Sequence, residues 1–132
     1  MRIIKFRAWH SKQKKMYSCK EMVADQLTLL TDGRFINVSG NHTSLSQICP
    51  ADLMIPLQFI DRYDINGKEI YEEDIIENPS GRRCIVHWFS SPSHSGWDIT
   101  PMNSKGFPPS EHAIWSEWVV LGNIYENPEL RK

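Results

Sequence analysis

The sequence lacks any long apolar run, because its longest one is the four residues from Trp118 to Leu121. A membrane-spanning helix needs about 20 apolar residues, so no membrane segment is expected. Three basic residues interrupt the first seven positions, where a secretory signal would need an apolar stretch. We therefore expect a cytoplasmic protein. Its 132 residues are enough for one domain or for two small packed halves.

Cysteine is scarce as well. Cys19, Cys49 and Cys84 are odd in number, and no Cys-x-x-Cys pair occurs. That excludes a zinc knuckle and a dithiol redox motif of this type, and it suits a reducing compartment. The sequence also has no P-loop, no dinucleotide-binding fingerprint and no helix-turn-helix pattern. The protein classes that those motifs mark are therefore not indicated.

The net charge of −1 conceals an uneven distribution. Residues 1–20 contain seven basic residues and no acid, whereas residues 21–78 contain three basic and eleven acidic residues. The basic arm either neutralises the acidic segment, within the fold or across a subunit interface, or it binds nucleic acid. A pI near 6.5 favours the first interpretation. For the second, the candidate contacts are Lys5, Arg7, Lys12, Lys14 and Lys15.

Alternating apolar and polar residues predict a β-rich N-terminal part over residues 1–52. Residues 2–9 alternate with period two, which is typical of a half-buried strand, and residues 16–19 read as its returning partner. The stretch 21–30 fits either a helix or a strand. The Asp32-Gly33 pair after it favours a strand at Leu27–Leu30 and a hairpin. A polar linker is expected at about residues 39–52.

Short strands separated by turns predict a second part over residues 53–132. Residues 53–60 should be extended, and Asn66-Gly67 should form a turn. Strands are predicted at 74–77, 82–89 and 97–100, with one or two more within 112–121, and apolar groups on both faces of 82–89 indicate a central strand. The fold class is therefore mainly β (α+β), ending in a small SH3-like or OB-like antiparallel barrel.

Three blocks of sequence carry a family resemblance. They are Ile4–Trp9 with Lys14–Tyr17 after it, Asn66–Glu72 with Asp74–Ile75 after it, and Gly122–Leu130. Together and in this order they resemble the YopX-like family of phage and prophage proteins. The resemblance implies an N-terminal α+β part, a C-terminal SH3-like barrel and an origin in a mobile element. It implies no chemistry and no catalytic residues.

The chain departs from the family pattern at two positions. Where the family has Tyr-Thr-Gly-Leu, this chain has Phe59–Arg62, and where the family often has glycine, this chain has Glu73. Asp61 and Glu73 thus stand in place of glycines. We therefore expect the local backbone to differ from that of the family.

Residues that could carry chemistry are few. His87, His112 and Asp74 are weak candidates for zinc or manganese ligands, since no two of them have the spacing that brings helical ligands to one ion. The Ser90–Ser95 loop, which includes His94, lacks a nucleophile elbow. We expect no cofactor, and the sequence gives little sign of an enzyme.

Five tryptophans are many for a chain of this length. Trp97, Trp115 and Trp118 could form a peptide-binding or base-stacking surface. Alternatively, they cover the barrel or are buried between subunits. On a regular strand Trp115 and Trp118 would point to opposite faces, so at most one of them would lie in the core.

Three functions remain open at this point. The first is a non-enzymatic, self-associating interaction or assembly protein, which is favoured by the tryptophans, the opposite charges of adjacent segments and the lack of a chemical constellation. It would form a homo-oligomer and could bind a host or phage protein. The second is a nucleic-acid-binding accessory protein that uses the basic arm. The third is a small metal-dependent enzyme centred on the histidines.

Overall fold

The computed structural model describes residues 2–37, 48–49, 53–93, 95–102 and 115–131. The fold is mainly β with antiparallel sheets, as the alternating patterns predict. The chain divides into two compact units. The insert unit is Lys5–Gln58, and the outer unit combines Met1–Ile4 with Phe59–Lys132. No helix within the described residues is long and apolar enough to cross a membrane.

The insert unit contains one short helix and small antiparallel sheets. Strand β1 pairs with β2 on one side and with the first half of β6 on the other, and β4 lies between β3 and β5. Its elements are β1 (Phe6–His10), β2 (Lys15–Tyr17), α1 (Cys19–Ala24), β3 (Leu27–Leu29), β4 (Phe35–Asn37), β5 (Ile48–Cys49) and the start of β6 (Met54–Tyr63).

Local sequence explains the order of these elements. Ser18 and Glu21 form a capping box that starts α1, because the Ser18 hydroxyl accepts from the Glu21 N–H and the Glu21 carboxylate accepts from the Ser18 N–H. The ambiguous stretch 21–30 therefore contains both elements: the helix ends at Ala24 and β3 follows. The predicted Asp32-Gly33 hairpin is confirmed, with Gly33 at a φ of 89°.

A small apolar cluster holds the insert unit together. Its buried members come from β1, α1, β4 and β6, and the partly buried side chains around it include Phe6 and Tyr17. The buried members are Ala8, Met22, Phe35 and Met54. Burying one such side chain fully contributes about 1.5–3 kcal/mol. Most of the predicted linker at 39–52 lies outside the described residues, and so does the predicted division between residues 52 and 53.

The outer unit is built on a four-stranded antiparallel sheet in the order β10-β9-β8-β11. These strands are β8 (Asp74–Glu77), β9 (Arg83–Ser90), β10 (Ser95–Pro101) and β11 (Val119–Asn123), and the second half of β6 pairs with β7 (Glu69–Tyr71). Strand β9 is central, as its two apolar faces predict. The core cluster comprises Ile60, Ile70, Ile76, Cys84, Val86, Ile99, Trp118 and Val120. Closure into an SH3-like barrel stays a prediction.

The described part of the 112–121 segment holds one strand, β11, of the one or two expected there. Trp115 precedes it in a short 3-10 helix, Trp115–Glu117. Both residues that stand in place of glycines have positive φ angles. Asp61 has a φ of 60° and Glu73 a φ of 69°, which is the left-handed conformation that glycine favours.

Candidate interaction surface

In and beside the family blocks, buried polar side chains form hydrogen bonds with the backbone. The buried carboxylate of Asp64 accepts hydrogen bonds from the N–H groups of Asn66 and Lys68, each at 2.8 Å, and of Val120 at 3.0 Å. The first two bonds form the turn that carries Gly67 at its tip, with a φ of 78°. This block is a structural device, since each of these bonds positions main chain.

Two further buried polar residues in the described part of the chain also hold the backbone. Asp74, 1% exposed, accepts from the Tyr71 N–H at 2.8 Å. Asn123, 3% exposed, accepts from the N–H groups of Tyr125 and Glu126 and so shapes the bend after β11. Buried polar groups with such partners are satisfied rather than poised for chemistry. A functional surface is therefore to be sought outside the blocks.

Of the weak metal candidates, the two that the structure describes, His87 and Asp74, are each hydrogen-bonded to another part of the fold. The Nε2 atom of His87 hydrogen-bonds with the Thr100 hydroxyl across the β9–β10 ladder, while Asp74 holds the Tyr71 backbone. His112, like His94, lies outside the described residues. Within those residues no group of three or more histidine, cysteine or acidic side chains could hold a metal ion.

One lysine of the basic arm is paired with an acid that lies just beyond the arm. Lys5 and Arg7 are half-buried on or beside β1, and Lys12 and Lys14 are exposed in the turn after it. The Lys15 ammonium lies 3.1 Å from the Glu21 carboxylate and 4.3 Å from the centroid of the Tyr17 ring.

This ion pair has a local effect on protonation and charge. The Ser18 N–H and Lys15 hold the pKa of Glu21 below its usual range, and the bond to Glu21 raises the pKa of Lys15. Of the five candidate contacts, Lys15 is thus paired with a neighbouring acid.

The tryptophans of the outer unit separate into buried and accessible ones. Trp118 is 6% exposed and lies in the core, so the structure removes it from the candidate surface. Trp97 and Trp115 are half-buried and pack against that core. Trp88, which the sequence analysis did not single out as a surface residue, is 49% exposed.

The β9–β10 hairpin extends beyond the core. Burial alternates along β9 as far as Val86, and then Trp88 and Phe89, on opposite faces of the strand, are 49% and 36% exposed. Trp88 pairs across the ladder with Trp97, their ring centroids being 5.0 Å apart and their planes inclined at 81°. Gly96 lies opposite Phe89 on β10 and has no side chain to pack against the Phe89 ring. We call Trp88, Phe89 and Trp97 the hairpin surface.

Trp97 of the hairpin surface lies on the edge strand β10, whose one charged residue is Asp98, whereas Trp88 and Phe89 lie on the neighbouring strand β9. Among the described strands β10 pairs only with β9, so it is an edge of its sheet. From Trp88 to Trp97 the sequence contains no lysine, arginine, aspartate or glutamate. Edge strands are commonly protected by charged side chains, and the centres of protein interfaces are depleted of charge. The arrangement is suited to contact with another protein.

Trp97 and Trp115 also meet at a cavity of about 470 Å³ in the outer unit. The other residues that line it are Arg2, Ile60, Asp61 and Arg62. Sequence reasoning proposed the two tryptophans but missed these partners, because they come from segments far apart in the chain. The one local sign of the other lining residues was that Asp61 stands where the family has glycine.

Comparison with known proteins places the fold in context. A crystal structure of protein EF1440 from Enterococcus faecalis is similar to this chain, with a TM-score of 0.56 and 20% sequence identity, over 100% of both chains. That similarity concerns the fold alone. No protein of curated function matches the sequence. The family model described as YopX protein matches residues 5–132, nearly the whole chain, and the chain therefore belongs to the YopX family.

Proposed function

We propose that this protein is a non-enzymatic, self-associating interaction protein of phage origin that acts in the bacterial cytoplasm. A second copy of the chain is the partner for the hairpin surface. The observation that carries the proposal is the end of the β9–β10 hairpin, where Trp88 and Phe89 are exposed on opposite faces of β9, beside the edge strand β10. The YopX family membership and the satisfied polar groups of its blocks are consistent with it.

The physical argument for a second copy rests on the edge strand. An antiparallel pairing of β10 with the same strand of another subunit has two-fold symmetry, so each copy supplies the same patch. Such a pairing would extend the ladder by main-chain hydrogen bonds and cover the aromatic side chains beside it. Aromatic residues are enriched at interface centres and there contribute most of the binding energy.

Native mass spectrometry of the purified protein tests this proposal. We expect the wild type at micromolar concentration to show a multiple of the 15.4 kDa chain. Replacing both exposed aromatics, Trp88→Ser with Phe89→Ser, should give a monomer with an unchanged far-ultraviolet circular dichroism spectrum. Val23→Ser is the matched control, because Val23 is 71% exposed on α1, outside the hairpin. A monomeric wild type, or an oligomer indifferent to the double variant, would contradict the proposal.

A further inference from the structure

The cavity of the outer unit has the size and the lining of a ligand site. Its volume of about 470 Å³ lies within the range of about 300–1,000 Å³ that small-molecule sites have. Its lining combines two guanidinium groups, one carboxylate, two indoles and one buried isoleucine. Pockets that recognise small molecules commonly pair flat apolar walls with a few polar groups.

Its positive charge is available to an anion. Arg2 and Arg62 are exposed, and neither forms an ion pair within the described residues. Nη1 of Arg62 donates to the Asp61 carbonyl oxygen at 3.0 Å, which uses one of the five N–H donors of a guanidinium. Among the described lining residues Asp61 is the single acid, so these residues together carry an excess of one positive charge. Guanidinium groups bind phosphate and carboxylate oxygens in a bidentate manner.

Its aromatic walls are held in place. Trp97 on β10 and Trp115 at the start of the 3-10 helix both pack against the core cluster of the outer unit. One side of each indole is thus fixed, while the residue as a whole is only half-buried and lines the cavity. A fixed indole is a stacking surface for a planar ring, and stacking on a base contributes about 1–3 kcal/mol.

The lining also contains an unusual backbone conformation. Between the pairs Phe59–Tyr71 and Tyr63–Glu69, the register of β6 against β7 shifts. Asp61 lies in this bulge with a φ of 60°. A left-handed aspartate is uncommon, such conformations cluster at ligand sites, and bulges often redirect side chains there. The Asp61 carboxylate supplies hydrogen-bond acceptors beside the two guanidinium groups.

We propose that this cavity binds one nucleoside phosphate. Arg2 and Arg62 take the phosphate, the base stacks on Trp97 or Trp115, and Asp61 accepts from a sugar hydroxyl or a base amino group. A phosphate alone would leave the indoles unused, and a nucleoside alone would leave the guanidinium groups unused. The same chemistry is offered by a free nucleotide and by one nucleotide of a single strand. Arg2 is the only residue of the basic arm among the described lining residues, and the site shares Trp97 with the hairpin surface.

Titration of the ¹⁵N-labelled protein, followed by the indole N–H resonances, tests the proposal. The probes are AMP, adenosine, inorganic phosphate and a single-stranded oligoadenylate, at one fixed ionic strength, because phosphate contacts depend on salt. We expect AMP to shift the Trp97 and Trp115 resonances saturably and to leave that of the buried Trp118 unchanged. Adenosine and phosphate should each bind about tenfold or more weakly than AMP.

Two variants assign the effect to the cavity. Arg62→Gln should raise the dissociation constant for AMP about tenfold. Arg82→Gln, an exposed arginine of the outer unit that does not line the cavity, should leave it unchanged. Binding of the oligoadenylate about tenfold or more tightly than AMP would identify a strand as the source, and equal or weaker binding would identify a free nucleotide. Unshifted Trp97 and Trp115 resonances with both AMP and oligoadenylate, or equal affinity in Arg62→Gln, would overturn the proposal.

Discussion

The carboxylate of Asp64 organises the turn that follows it and a strand far along the chain. Burial acts to raise the pKa of Asp64, but hydrogen bonds from the backbone N–H groups of Val120, Lys68 and Asn66 outweigh burial and hold the pKa below its usual range. The folded state therefore favours the ionised carboxylate. The sequence indicated the Asn66-Gly67 turn but gave no sign of the bond to Val120, because that donor lies 56 residues away.

Asp64→Ala should lower the free energy of unfolding by about 3 kcal/mol at pH 7, since it leaves buried N–H groups without an acceptor. The stabilisation should be fully present above about pH 4, the ordinary aspartate value. It should be lost as the pH falls through the lower pKa of the folded state. Urea unfolding between pH 7 and pH 3 measures both effects. Asp25→Asn, at an exposed aspartate after α1, is the control, and a pH dependence identical to that of the wild type in Asp64→Ala would contradict the assignment.

The connection between β7 and β8 shows how an element can keep its shape when its residue type changes. Glu73 has a φ of 69°, and its N–H donates to the Val86 carbonyl at 2.8 Å while its own carbonyl accepts from Ile124 at 3.2 Å. These bonds fix the backbone in a conformation that disfavours side chains with a Cβ. The hydrogen bonds to Val86 and Ile124 thus hold a conformation that the residue type itself disfavours.

Glu73→Gly and Glu73→Ala therefore form an informative pair. Both remove the carboxylate, but only alanine retains a Cβ in the left-handed conformation. We expect the glycine variant to be more stable than the alanine variant by about 1 kcal/mol, because the strain exceeds the extra flexibility of glycine in the unfolded chain. Thermal unfolding of both variants measures the difference. If the alanine variant were the more stable one, Glu73 would not be strained.

Other elements show what sequence patterns can and cannot predict. The strands and the Asp32-Gly33 hairpin depend on local alternation and turn chemistry, so they could be predicted. Helix α1 has only six residues and one buried side chain, Met22, so periodicity could not reveal it. The Ser18–Glu21 capping box was the available signal. Apolar groups on both faces of β9 predicted its central place, but the point along β9 at which burial by the core ends depends on tertiary packing.

At the scale of the whole molecule, the uneven charge distribution and the hairpin surface predict different salt dependences for self-association. Opposite charges drive association most strongly at low salt, because ions screen exposed charges within about 10 Å at 0.1 M. Burial of aromatic side chains is not weakened in this way. The ion pair of Lys15 with Glu21 shows that some of the basic arm is neutralised within the chain itself. The hairpin surface, rather than the charge asymmetry, is therefore the expected source of association.

Raising the salt concentration from about 0.05 M to about 0.5 M should leave the oligomer mass unchanged. The charge reversals Lys14→Glu and Lys15→Glu should likewise have little effect at either concentration, whereas Trp88→Ser should act at both. Analytical ultracentrifugation across the series provides the measurement. Dissociation by salt, or by the lysine reversals at low salt alone, would assign the association to charge.

The candidate cavity could not have been predicted from the sequence, because it is assembled from distant segments of the chain. Its lining residues come from the first residues of the chain, β6, β10 and the 3-10 helix. Periodicity and spacing connect only residues that are near in sequence. The sequence therefore identified Trp97 and Trp115 as candidates but could not assemble them with Arg2, Asp61 and Arg62.

The hydrogen bond from Val120 to Asp64 also has a consequence for the order in which the protein matures on the ribosome. Synthesis proceeds from the N-terminus, and domains generally fold as units in that order. Every residue of the insert unit has been translated before β11 of the outer unit, which carries the Val120 N–H donor, is synthesised. A chain terminated upstream of Val120 would hold all the residues of the insert unit and an unfinished outer unit. Such a truncated product would expose apolar β8 residues to the proteases that remove incomplete chains.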